Sequence, residues 1–124
     1  MNEVKKILIV DDQPEVSRLL EVALRGEDRQ LLFAHNAEEC FALARQVVPD
    51  LILLDLMMPG RMDGYEVAHR LKQNPATAAA HILVMTAKVH DQNRQQALAA
   101  GADDYIAKPF DVFDLKARVA RLFG

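Results

Sequence analysis

Cysteine is nearly absent from this sequence: Cys40 is the one example among 124 residues. An intrachain disulfide is therefore excluded, and a reducing compartment fits best. Cys40 falls in a helical pattern, where a small apolar role suits it better than a reactive one. An excess of basic residues is also missing. Fifteen lysines and arginines stand against 18 aspartates and glutamates, a net charge of -3. That argues against a surface built for nucleic acid, a small local patch aside. No apolar run approaches the ~20 residues of a membrane span. The four apolar residues that follow MNEVKK are too few for a signal peptide. The expectation is a cytoplasmic protein with no membrane contact and no direct nucleic acid binding. A GxxxxGK(S/T) loop is lacking, which argues against a nucleotide hydrolase. Neither a Ser–His–Asp nor a Cys–His set is apparent. His35, His69, His81 and His90 show no metal-ligand spacing, so surface or helix-edge positions are expected for them.

What remains is ordinary in amount and regular in order. Half the residues are hydrophobic (51%) and about a quarter charged (27%), and the length suits one domain over 1–124. Short apolar runs alternate with stretches of helical spacing. ILIV (7–10), LLFAH (31–35), LILLD (51–55), HILVMT (81–86) and DYIAK (104–108) read as strands, ILIV being β-branched and continuous as a strand buried on both faces should be. Between them lie helical patterns over 14–26, 37–47, 63–74 and 92–101, and a last one over 111–123. Pro14 suits a first helical turn, Asn36 an N-cap, and Gly26 and Gly101 C-terminal caps. In the second helix Phe41, Ala44 and Val48 are expected to share a face. Five β-α units predict an α/β fold, a parallel sheet with helices on both faces. In such sheets ligands bind beyond the carboxyl ends of the strands.

The residues at those ends share a chemistry. Strand one runs into Asp11 and Asp12, strand three ends in Asp55, strand four in Thr86, and strand five in Lys108, followed by Pro109. Singly, each has a plain alternative: the aspartates as helix caps, Thr86 as a turn residue, Lys108 as a solvated lysine. Together, three acids at one rim repel each other and need compensation. A hard, oxygen-only site of this kind suits Mg²⁺.

The stretches IVDDQPEV, LILLDLMMPGRMDG, VMTA and GADDYIAKPF resemble the motifs of the bacterial two-component response-regulator receiver domain, and the resemblance covers Lys5 to Phe123. It implies a flavodoxin-like doubly wound (βα)5 sheet of strand order 2-1-3-4-5. It implies that Asp55 takes a phosphoryl group from a sensor histidine kinase or a histidine phosphotransfer protein. A carboxylate of ordinary pKa, ionised at pH 7, needs no general base for that attack. Asp12, Asp55 and the Met57 backbone carbonyl would hold Mg²⁺, for which Mn²⁺ can substitute, with Asp11 acting mainly through water. Lys108 would pair with a phosphoryl oxygen, and a cis Lys108–Pro109 bond would aim it inward. Thr86 and Tyr105 would form the switch, altering the face of helix four, strand five and helix five. Tyr105 alone would read as a half-buried strand residue. Such a protein is a switch, not an enzyme; it catalyses only its own phosphoryl transfer and dephosphorylation.

Two features depart from or lie beside the pattern. Arg61 is extra in MPGRMDG, which bears on loop shape and kinase docking. Lys88, two residues after Thr86, bears on the lifetime of the phosphorylated state. The chain ends at Gly124 just after the fifth helix, so an output domain is not expected in it. Output is expected through a downstream protein target or the remainder of a longer regulator. Two charge pairs, Arg94 with Asp114 and Asp104 with Arg118, match positions of a dimer face, with Ala100 at a further position that is acidic in that set. They suggest a weak, phosphorylation-favoured homodimer, with solvated surface charges as the alternative. An aspartyl-phosphate phosphatase is disfavoured because Met57 stands where a second aspartate is wanted. A flavin-binding module is disfavoured by the acidic rim.

Overall fold

The computed structural model describes residues 4–58, 62–87 and 91–123. Its elements are β1 (Lys5–Val10), α1 (Pro14–Leu24), β2 (Arg29–Ala34), α2 (Ala37–Val47), β3 (Leu51–Asp55), α3 (Gly64–Gln73), β4 (His81–Thr86), α4 (Asp91–Ala99), β5 (Asp104–Ala107) and α5 (Val112–Phe123). The five strands form one sheet in the order β2-β1-β3-β4-β5, and every pairing is parallel. The fold is thus the expected flavodoxin-like sheet.

Continuous apolar strands are needed because the sheet is covered on both sides, and the two-residue period of a strand sorts them. Leu8, Val10, Ile52, Leu54, Ile82 and Val84 join Cys40, Ala44, Val67, Leu71 and Ala97 in one buried cluster, which draws on α2, α3 and α4. Ile7, Ile9, Leu51, Leu53, Leu83 and Met85 join Leu20, Leu24, Leu115 and Val119, from α1 and α5, in the other. A strand slipped by one residue would exchange the two sets. Cys40 is fully buried, and burial pushes its thiol up to about 12.

The helix ends follow local chemistry. Pro14 opens α1, and the side chains of Asn36 and Asp63 accept the N–H groups of Glu39 and Glu66 at the starts of α2 and α3. α4 closes on Gly101 at φ 110°, with Gly101 N–H donating to Leu98 and Ala102 N–H to Ala97.

Three local expectations are corrected. α1 stops at Leu24 with Arg25 extended, and Gly26 is no left-handed cap; the Arg29 guanidinium meets the Leu24 carbonyl at 3.1 Å instead. β2 begins two residues early, because Arg29 and Gln30 pair with Lys5 and Lys6, and it ends at Ala34 rather than His35. Val48 does not share the buried face of α2. It is the C-cap, left-handed at φ 51° and 50% exposed, while Cys40 and Ala44 carry the face. Among the described residues no helix is long and apolar enough to cross a membrane.

Candidate functional site

The carboxyl ends of β1, β3, β4 and β5 converge. β1 delivers Asp11, which is fully buried, and half-buried Asp12 follows it. The Asp11 N–H donates to the Ala34 carbonyl of β2 at 3.0 Å, and its Oδ1 accepts the Gln13 N–H at 2.8 Å. The carboxylate is therefore fixed from both sides. β3 delivers Asp55, 3% exposed, as the last residue of a strand buried along its whole length. Its Oδ1 accepts the Met57 N–H at 2.9 Å. Leu56 N–H, one residue on, is held by the Met85 carbonyl of β4 at 3.0 Å. A rigid central strand thus carries a carboxylate to the rim.

The ammonium of Lys108 crosses this rim. Its Nζ is 2.7 Å from Asp11 Oδ2, 3.3 Å from Asp55 Oδ2 and 3.3 Å from Gln13 Oε1. Lys108 is placed by its own backbone, whose N–H donates to the Thr86 carbonyl at 2.8 Å, and the Lys108–Pro109 peptide is cis. Burial holds the Asp55 carboxyl above the usual carboxylate range. The Met57 N–H opposes that rise, the Asp11 charge adds to it, and Lys108 opposes it. The expectation of an ordinary pKa for Asp55 is corrected accordingly.

One lysine does not neutralise three acids. Asp11, Asp12 and Asp55 can each offer a carboxylate oxygen with all three within 4.8 Å of one another. The donors are hard oxygens in a compact group, which fits Mg²⁺ or Mn²⁺ and does not suit a soft metal. Among the described residues this is the group that could hold a metal. His35 and His69 are exposed, and half-exposed His81 lies 3.8 Å from Asp103.

Thr86, fully buried at the end of β4, pairs in register with Ala107 of β5. Tyr105 of β5 is half-buried against the α2–α3–α4 side of the core. Arg118 of α5 donates to the Tyr105 carbonyl and to Asp104 at 2.9 Å and Asp114 at 3.1 Å, all within the chain. Arg94 of α4 is exposed. Arg61, Lys88 and His90 lie outside the described residues.

Two residues at the site were not singled out from the sequence. Gln13 touches both Asp11 and Lys108, and its signal was a poor capping residue at a helix start. Gly64 lies under the Asp55 loop: a Cβ there would sit 2.5 Å from Leu56 Cα and 2.9 Å from the Asp55 carbonyl oxygen. Its place in the quoted MPGRMDG stretch was the available signal.

Sequence and structure comparisons place the fold in a family. Residues 7–120 match the family described as response regulator receiver domain. The phosphate regulon transcriptional regulatory protein PhoB of Pseudomonas aeruginosa is 44% identical over 115 residues, covering 93% of this chain and 50% of that protein. The transcriptional regulatory protein ResD of Bacillus subtilis is 44% identical over 117 residues, covering 94% and 47%. The crystal structure of a putative response regulator from Chloroflexus aurantiacus superposes with a TM-score of 0.89 at 35% identity, covering 97% of this chain and 98% of that one. The chain belongs to the response-regulator receiver domains of two-component systems. It spans about half the length of the curated relatives it matches.

Proposed function

We propose that this chain is a phosphorylation switch whose acceptor is Asp55. The observation that carries the proposal is the Lys108 ammonium set between Asp11 and Asp55, 2.7 Å and 3.3 Å away, on a rim shared with Asp12. Asp55 Oδ1 is tied to the Met57 N–H, which leaves Oδ2, on the Lys108 side, to attack phosphorus. The donor is a phosphohistidine of a sensor kinase or phosphotransfer protein. An Asp55 oxygen lone pair forms the new O–P bond while the P–N bond breaks and its electrons return to the imidazole. Lys108 takes charge from a phosphoryl oxygen as a compact cation. A divalent cation held by Asp12, Asp55 and the Met57 backbone carbonyl, with Asp11 acting mainly through water, would neutralise the phosphoryl group and favour the ionised Asp55. The product is an acyl phosphate, a mixed anhydride that water hydrolyses, so the signal is temporary and the chain turns over no other substrate.

Readout falls to Thr86 and Tyr105. The Thr86 hydroxyl bonds a phosphoryl oxygen in the phosphorylated state, and Tyr105 turns inward with it. The population shifts only by the extra contacts made in that state. The altered face is α4–β5–α5, and it meets a downstream protein or an output domain. A phosphorylation-favoured dimer through this face requires Arg118 to exchange its contacts with Asp104 and Asp114 for contacts to a second copy, with Arg94 opposite Asp114. The reading is of a cytoplasmic domain without nucleic acid contacts of its own.

Intact-mass spectrometry after incubation with acetyl phosphate and Mg²⁺ tests the acceptor. One added phosphoryl group is expected, absent in Asp55→Asn and absent under chelator. A shift that survives Asp55→Asn, or no shift in the unaltered protein, sinks the assignment.

A further inference from the structure

Lys108 has three N–H donors and no acceptor, and each donor has an oxygen facing it: Asp11 Oδ2 at 2.7 Å, Asp55 Oδ2 at 3.3 Å and Gln13 Oε1 at 3.3 Å. The three acceptors differ in what they must do next. On the phosphoacceptor reading above, Asp55 exchanges its bond for one from a phosphoryl oxygen, and Asp11 shares its charge with a cation. Gln13 is neutral and belongs to neither task. Its backbone is pinned: the N–H donates to Asp11 Oδ1 at 2.8 Å, and the carbonyl accepts from Val16 and Ser17, each at 3.1 Å. Gln13 is also the N-cap of α1, yet its side chain makes no capping bond. It reaches Lys108 instead, across 95 positions of sequence.

We infer that Gln13 is a positioning residue for Lys108. Its amide oxygen holds the ammonium over Asp55 while the other two acceptors are engaged by cation and phosphoryl group. The inference rests on the phosphoacceptor reading and adds a residue to it.

Two neutral variants separate aim from structure. Gln13→Met keeps the length of the side chain and removes the oxygen. Gln13→Asn keeps an amide one methylene too short to reach Lys108, while improving the helix cap. Beryllofluoride, a mimic of the phosphoryl group on a carboxylate, is titrated at saturating Mg²⁺ into both variants, the unaltered protein and Asp55→Asn. Both Gln13 variants are expected to bind it roughly fivefold more weakly, the loss of one neutral acceptor on a charged donor. Mg²⁺ affinity without beryllofluoride is expected to stay within about twofold, since Gln13 is not a metal ligand. The Tm of Gln13→Met is expected to hold, and that of Gln13→Asn to hold or rise. Unchanged beryllofluoride affinity in either variant overturns the inference. So does a loss that tracks weaker Mg²⁺ binding or a fall in Tm. If the unaltered protein binds no better than Asp55→Asn, the phosphoacceptor reading fails as well; a flat Gln13 series beside a binding unaltered protein removes only Gln13.

Discussion

The Lys108 ammonium sits 2.7 Å from Asp11 Oδ2, closer than to Asp55, and Asp11 is fully buried. The acid that would share a metal ion with Asp12 and Asp55 is also the one that anchors the lysine. Removing the lysine leaves a buried carboxylate without its cation. Lys108→Met is expected to destabilise the domain by roughly 3 kcal/mol at neutral pH in chelator, measured by urea denaturation. Saturating Mg²⁺ should recover more stability in this variant than in the unaltered protein, because the ion replaces the missing positive charge. An equal gain in both would show that the lysine does not compensate the acidic cluster.

The raised pKa of Asp55 sets the sign of a pH effect. Burial makes the folded state hold the Asp55 proton more tightly than the unfolded chain does. The stability linked to that proton is fully present below the unfolded value, about 3.9, and is lost as pH rises through the higher folded value. At neutral pH without metal the burial of the Asp55 carboxyl therefore works against the fold. Asp55→Asn should raise Tm in chelator at pH 7, and the gain should shrink as pH falls toward 4. Calorimetric scans across that range check it; a gain that grows on acidification contradicts the assignment of burial as the leading cause.

Gly64 ties the stability of the β3–α3 connection to its geometry. Its N–H donates to the Leu56 carbonyl at 3.3 Å, and a methyl group would strike backbone at Leu56 Cα, 2.5 Å away. Backbone cannot rotate aside as a side chain can. Gly64→Ala is expected to cost roughly 1–3 kcal/mol. It should also slow phosphorylation by acetyl phosphate about tenfold or more, since the displaced atoms adjoin Asp55. Denaturation and a rate measurement on the same sample test the coupling of the two losses.

Val48 offers the opposite case. It is half exposed and left-handed at φ 51°, a conformation that a β-branched side chain resists. Val48→Gly should stabilise the domain by roughly 0.5–1 kcal/mol, with phosphorylation unchanged, because the cap lies at the other end of the sheet from Asp55. A loss of stability would mean that the apolar contacts of Val48 outweigh the relief of its backbone.

The order of elements, the parallel sheet, and the acids, hydroxyl and lysine at the strand ends were all written in the sequence. Each depends on short-range facts: apolar runs too continuous for exposed strands, helical spacing between them, and Asn36 and Gly101 at helix ends. Element edges were less legible. Gly26 looked like a cap, but the Leu24 carbonyl is met by Arg29 from the next strand. Val48 fitted the helical period, but the chain turns there.

Tertiary structure alone decided which charge meets which. Lys108 and Asp11 are 97 positions apart, and only the parallel register of β1, β3, β4 and β5 brings them to 2.7 Å. The same packing decided that Arg118 joins Asp104 and Asp114 within one chain. It also raised the pKa of Asp55 and set the Gln13 amide on Lys108. A sequence specifies where its strands end; the distances and the solvent excluded between those ends arise only when the sheet closes under its helices, and electrostatics depends on those two quantities.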